Sequence, residues 1–194
     1  ELPILARHGL TTVVHNVDQV AALEGFPGEA KLDVMLKANT GMNRLGLDPS
    51  GIAQALERLR RNPRVREITL LTHFADADEA RGVNWQLERL RRLSGHGTLP
   101  MSLANSAAIL RYPETHRDWV RPGIMLYGAT PMIGMSAAAL DLMPVMTLAS
   151  EFIAINQRRK GDAIGYGGDW VCPEDMPVGV VAIGYGDGYP RHAP

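Results

Sequence analysis

Residues 32–47 read LDVMLKANTGMNRLGL. The apolar run Leu32-Asp33-Val34-Met35-Leu36 ends in Lys37, and a glycine turn and Arg44 follow at once. A short run of that kind before a turn predicts a buried strand. In a parallel α/β protein the chemistry sits where strands end, so a lysine and an arginine there read as a site rather than a surface. What the flanking sequence adds to that edge decides the rest.

Upstream, residues 11–15 (TTVVH) are β-branched and short, hence a strand, and Asn16 or Asp18 caps a helix running to Leu23. Gly25-Phe26-Pro27-Gly28 breaks it. Downstream, Pro49-Ser50-Gly51 introduces the helix IAQALERLRR, whose Ile52, Ala55, Leu56 and Leu59 recur at helical spacing, and Asn62-Pro63 ends it. Residues 67–72 (EITLLT) predict a buried strand, closed by HFADAD. A helix over 83–93 turns Trp85, Leu87, Leu90 and Leu93 inward and stops at Gly95-His96-Gly97. A strand at 99–103, a helix at 107–110 with Asn105-Ser106 as its cap, and a strand through 120–128 follow. Strand and helix thus alternate about five times, the mark of a parallel sheet or barrel.

The pattern changes near Pro131. Three β-type runs, 145–156, 162–166 and 178–185, appear without long helices between them, separated by Gly and Pro turns. A boundary near 140–144 is expected, leading into an antiparallel β domain that is not completed.

Composition narrows the class. A net charge of −1 over 194 residues sets up no field that draws the chain to nucleic acid or anionic membrane. The arginine-rich stretches 58–66 and 89–92 lack interleaved aromatics and read as solvated helix faces. No apolar run approaches the roughly 18 residues that span a bilayer. The single Cys172 excludes an internal disulfide and a cysteine-based metal site, which suits the cytoplasm. The chain has no initiator Met and stops straight after a strand-like segment, so an internal fragment of a longer protein is expected.

Each α/β strand is followed by polar groups. Lys37, Asn39 and Arg44 follow one, His73 and Asp78 the next, and Asn105 and Ser106 the third; Arg121, Gly123 and Ile124 belong to the last. Cations, hydroxyls and free backbone N–H groups on one edge suit a phosphorylated ligand. No Walker A motif is present and the glycines do not fit a GxGxxG turn, so the phosphate belongs to something smaller than a nucleotide. From the residues alone, His73 reads more readily as a satisfied core histidine than as a catalytic one, and Tyr166 as an ordinary strand-end tyrosine flanked by glycines. The glycines of 184–188 read equally as turn formers.

The ordered motifs LKANTGMNRLG, THFADAD, LANSAAIL, RPGIMLYG, GDAIGYGGDW and VAIGYGDGYPR closely resemble bacterial alanine racemases over nearly the whole chain. The resemblance implies a homodimer with shared active sites that uses pyridoxal 5′-phosphate (PLP) to interconvert L- and D-alanine, supplying D-alanine for peptidoglycan. It implies that residues 1–140 are the later part of a PLP-binding (β/α)8 barrel, and 141–194 the truncated start of a mainly-β C-terminal domain. By motif order, Lys37 is not the Schiff-base lysine, which lies upstream; it is the lysine often carbamylated in this family, and it orients Arg44 toward the cofactor's phenolic oxygen. The family commonly has Asp where this chain has Asn39.

By the same resemblance, Tyr166 acts from the partner subunit as the base for L-alanine. His73 links it to Arg121, which lies against the pyridine nitrogen. Asn105, Ser106, Gly123 and Ile124 belong to the cofactor cradle, and Asp78, Tyr185, Asp187 and Arg191 line the substrate corridor. No metal is implied. Two alternatives stay open: a racemase of another small amino acid such as serine, and a non-catalytic PLP-binding barrel protein. The β strands after 145 argue against the latter. About five of eight barrel strands cannot close a sheet, so the fragment alone is expected to be inactive.

Overall fold

The computed structural model describes residues 1–93, 97 and 99–191, and divides into two compact units, Glu1–Val145 and Met146–Pro194. The expected helix stop at 95–96 lies outside the described residues. Among the described residues no helix is long and apolar enough to cross a membrane.

The first unit is built on a five-stranded sheet whose spatial order follows the chain: β1 (Thr12–Val14), β2 (Leu32–Lys37), β3 (Val65–Leu71), β4 (Met101–Asn105) and β5 (Trp119–Arg121). Every neighbouring pair is parallel, so all five C-terminal ends lie on one edge. Connecting helices make this possible: α2 (Val17–Glu24), α3 (Pro49–Arg61), α4 (Asn84–Arg91) and α5 (Ser106–Arg111).

Local chemistry starts these helices, at α2 and α5 with the expected caps and at α3 with one that the sequence reading did not name. The side chain of Asn16 accepts from Gln19 N to cap α2, Asp48 accepts from Gly51 N at α3, and Asn105 accepts from Ala108 N at α5. Along β2, Leu32, Val34 and Leu36 are buried while Asp33, Met35 and Lys37 alternate on the other face. The buried set joins Val20, Leu23, Ile52, Leu56 and Leu59 in one apolar cluster, so the sheet's core face is the one its helices cover. Two bidentate pairs, Arg58 with Glu24 and Arg66 with Asp33, fasten α3 to α2 and β3 to β2 at the surface.

Three points of the sequence reading need correction in this unit. A helix, α1 (Leu2–His8), precedes β1 and has no counterpart in the sequence reading. Only Trp119–Arg121 of the segment 120–128 is strand; Ile124–Tyr127 is a 3₁₀ turn. Gly123 (φ −114, ψ −92) leaves the extended region and Gly128 (φ 80) is left-handed, so the apolar run between them turns back. Trp85 is not a core residue: it is half-exposed, its ring covered by Arg81 at 3.7 Å and Arg89 at 4.9 Å. The inward face of α4 is carried by Gln86, Leu87 and Leu90.

The second unit contains two antiparallel pairs, β6 (Phe152–Arg158) with β9 (Met176–Val181) and β7 (Ala163–Ile164) with β8 (Trp170–Val171). The first and third expected β runs overreach. Strand begins only at Phe152, and the third run ends at Val181 before a 3₁₀ turn at Tyr185–Asp187.

Candidate functional site

Register decides which polar groups meet. Lys37 pairs with Leu71 and Asn105 with Arg121, so the residues just beyond each strand end project from one level of the sheet. Beyond β2 the chain turns at 39–43. Asn39 Oδ1 accepts from Gly41 N (3.0 Å) and Asn43 N (3.1 Å), and Asn39 Nδ2 donates to Asn43 Oδ1 (3.0 Å). A carboxylate could accept the first two bonds but could not make the third, so the amide ties the turn more fully. Arg44 follows, exposed, and the chain returns to pair Leu47 with the strand end: Leu47 N donates to Lys37 O (2.9 Å) and Asn39 N to Leu47 O (2.8 Å). Gly46 permits this return. At φ 122, a Cβ there would lie 2.7 Å from Asn39 N.

Arg121 ends β5 and is locked by the sheet. Its Nη1 donates to Ser102 Oγ (2.7 Å) and its Nη2 to Thr72 O (2.6 Å). Burial lowers its pKa from the ordinary value. Ser106, the first residue of α5, is buried, and its Oγ accepts from Gly123 N (2.7 Å). A Cβ at Gly123 would lie 3.9 Å from that oxygen, so the glycine leaves the space before the hydroxyl open.

Arg121 and Ser106 share a cavity of about 390 Å³, lined by His73, Asp78, Asn105, Ser106, Arg121, Gly123 and Ile124 with Ala107, Thr130 and Pro131; Lys37, Asn39 and Arg44 are not among its lining residues. The first seven are all residues the sequence singled out. Larger cavities lie between α1, α2 and β1 and at the β1–α3 edge, away from Arg121 and Ser106. They gather few charged groups, and chemistry rather than size selects the strand-end pocket.

The electrostatics are one-sided. Burial, then the charges of Arg121, Arg44 and Lys37, push His73 down to about 4. Burial, then Arg44 and Arg121, lower Lys37 as well. His73 is therefore neutral at physiological pH, and the cluster has spare positive potential for an anion. Among the described lining residues Asp78 is the one carboxylate. No group of three or more His, Cys, Asp or Glu suited to a metal occurs among the described residues.

A stability consequence follows for His73. Its folded pKa, about 4, lies below the ordinary 6.5, so between those values the unfolded chain binds more protons than the folded one. Stability rises with pH across that window, and the penalty is complete below about 4. Urea midpoints of the full-length protein measured from pH 4 to 6.5 are expected to show this slope, and His73→Gln to flatten it.

Tyr166, Tyr185, Asp187 and Arg191 belong to the second unit and are exposed there, Tyr166 at 94%. The pocket is built from the first unit alone. The sequence reading missed the buried polar residues behind the pocket: Thr40, Thr72, Gln86 and Ser102. One signal was available for Gln86, since it stands four residues before Leu90 on the apolar stripe of α4.

Comparison with known proteins supplies the family. Residues 1–131 match the family described as alanine racemase, N-terminal domain, and residues 145–194 the one described as alanine racemase, C-terminal domain. The alanine racemase of Nitrosospira multiformis is 51% identical over 197 aligned residues, covering 100% of this chain and 55% of that protein. The crystal structure of biosynthetic alanine racemase from Pseudomonas aeruginosa superposes with a TM-score of 0.89 at 41% identity, over 100% of this chain and 55% of that one. The fold is shared with the Bartonella henselae alanine racemase, solved with covalently bound pyridoxal phosphate, at TM-score 0.74 and 23% identity over 98% of this chain and 54% of that one. The chain thus spans about half the length of the curated relatives it matches. Matched from residue 1 to 131 by one domain family and from 145 to its end by the other, this chain belongs to the alanine racemase family.

Proposed function

We propose that the full-length protein containing this chain interconverts L- and D-alanine, with pyridoxal 5′-phosphate held at the strand ends of the first unit. One observation carries the reading: a sheet-locked Arg121, a neutral His73 and the open Ser106–Gly123 cradle line a single pocket. The donor set fits the cofactor. A buried hydroxyl beside backbone N–H groups suits a phosphate monoester, and the guanidinium groups of Arg121 and Arg44 suit the cofactor's anionic oxygens and ring nitrogen. When bound, the cofactor supplies an electron-withdrawing ring that acidifies the α-proton of an amino acid.

The chain's own residues do the rest. Ser106 and the N–H of Ile124 would hold the phosphate, joined by the N–H of Gly123 on exchanging its Ser106 Oγ partner, and Asn105 caps the helix that presents Ser106. Arg121 is assigned to the ring nitrogen. A guanidinium stays charged at neutral pH, so it disfavours a proton on that nitrogen and moderates the ring as an electron sink. Arg44 is assigned to the phenolic oxygen. Tyr166, from the partner subunit of a homodimer, takes the α-proton of L-alanine at its phenolic oxygen, and neutral His73 connects it to Arg121. A lysine outside this chain is the opposite base, so removal on one face and return on the other inverts the centre. Asp78, Tyr185, Asp187 and Arg191 line the approach for substrate.

Chiral chromatography of L-alanine incubated with the full-length protein and PLP tests the reading. D-Alanine is expected to accumulate until the two enantiomers are equal. Its absence, or preferred turnover of serine, would overturn the assignment.

Lys37 is assigned a carbamate. Burial and the charges of Arg44 and Arg121 raise the fraction of its neutral amine. That amine attacks the carbon of CO2, an N–C bond forms, and the lost N–H proton goes to solvent. The resulting anion is stabilised by the same cations that disfavoured the ammonium. Full-length protein in ¹³C-bicarbonate is expected to show a carbamate carbon resonance that Lys37→Ala abolishes. The variant is expected to lose roughly tenfold in kcat, about one charge-assisted hydrogen bond at Arg44.

A further inference from the structure

Behind the pocket lies a side chain that packing alone does not explain. Gln86 is 0% exposed, on the inward face of α4 beside Leu87 and Leu90, where an apolar residue of similar size would fill the same space. A buried amide is costly unless each polar atom is partnered. All of them are: Nε2 donates to Thr40 Oγ1 (2.8 Å) and to His73 O (3.0 Å), and Oε1 accepts from Ala75 N (2.7 Å). The amide orientation is forced, since Ala75 N–H can only donate and His73 O can only accept.

The network continues in one direction. Thr72 Oγ1 donates its proton to Ala38 O (3.0 Å), so Thr40 must donate in the 2.7 Å contact between the two hydroxyls. A chain therefore runs Gln86 → Thr40 → Thr72 → Ala38, with Thr40 and Thr72 buried at 2% and 1% exposure. The carbonyl of that same Thr72 accepts from Arg121 Nη2 (2.6 Å). One amide thus ties the segment after β2, which follows Lys37 and carries Arg44, to the segment after β3, which carries His73, and reaches Arg121 through Thr72.

We infer that Gln86 is a positioning residue of the strand-end site, clamping the His73 backbone against the Thr40 segment and, through Thr72, against Arg121. It touches no reacting atom. This rests on the proposed racemase reading for its effect on turnover, but the clamp has a consequence that does not. His73 is half-buried just beyond the end of β3, lines the pocket with Asp78, and feels the charges of Arg121, Arg44 and Lys37. Release of the clamp frees the His73 backbone to move away from these cations and lets the imidazole titrate nearer its ordinary value.

The experiment uses the full-length protein and two variants. Gln86→Met removes all three bonds at similar volume, and Thr40→Val cuts the chain at its next link. Each is expected to lower kcat by roughly ten- to a hundredfold with a much smaller change in KM, as displacement of catalytic geometry does. The double variant is expected to cost less than the product of the two, because both break one chain. With ring-labelled histidine, and His73→Gln assigning the signal, NMR is expected to show the His73 titration moved up in both variants relative to wild type. Lower melting temperatures with kcat, KM and the His73 titration all unchanged would show a merely structural role and overturn the inference. A wild-type protein that does not racemise alanine would sink the proposed function, while the His73 titration would still decide for or against the clamp. If Gln86→Met does not fold, Thr40→Val carries the same test.

Discussion

Tyr166→Phe in the full-length protein is expected to lower kcat for L-alanine by about 10²–10⁴, the range for loss of a positioned acid–base group. Folding is expected to be unaffected. The ring is 94% exposed in its own unit, so removing one hydroxyl changes stability within about 0.5 kcal/mol. The backbone around it explains why an aromatic residue stands out from its unit. Gly165 (φ 76), Gly167 (φ 75) and Gly168 (φ 64) all occupy the left-handed region, so the chain reverses tightly on both sides of the tyrosine. Steady-state rates in both directions, beside a thermal melt, check this. An unchanged kcat would remove Tyr166 from the mechanism.

The second large effect is expected at Arg121. Arg121→Lys keeps a cation in name only. The guanidinium fork reaches Ser102 Oγ and Thr72 O at once, and a single ammonium cannot reproduce that fixed geometry. A lysine in this buried position also tends to lose its proton to desolvation, which an arginine does not. The group assigned to the ring nitrogen then becomes both misplaced and neutral. A misplacement of about 1 Å costs on the order of a hundredfold, and kcat is expected to fall at least that far. The pH profile of kcat should gain a new limb from the lysine, which the wild-type protein lacks. A profile and rate matching wild type would contradict the role assigned to Arg121.

How much of this was legible beforehand varied with the kind of signal. β2 and β3 were readable because apolar runs end at turn residues, α2 and α5 because Asn16 and Asn105 sit where a cap must, and α3 because its apolar residues recur at helical spacing; the Asp48 cap of α3 was not read. The strand-end residues were readable too: topology alone puts Lys37, His73, Ser106 and Arg121 on one edge. The segment after Arg121 was misread because Ile124–Tyr127 is as apolar as a strand; only the backbone of Gly123 and Gly128 decides that it turns. Trp85 was misread because hydrophobicity does not reveal that two arginines, four residues before and four residues after it, can cover a ring at the surface. The Gln86 chain was invisible because its partners lie 46, 13 and 11 residues away in sequence. Long-range polar complementarity leaves no periodicity.

The most direct test of the account is racemisation of L-alanine by the full-length protein in deuterium oxide, with the products separated by chirality and weighed by mass spectrometry. Two bases on opposite faces require that the α-proton leave and that a solvent deuteron enter. D-Alanine formed at early times is therefore predicted to carry one deuterium at the α-carbon. D-Alanine that forms while keeping its original α-hydrogen through repeated turnover, or no interconversion at all, would contradict it.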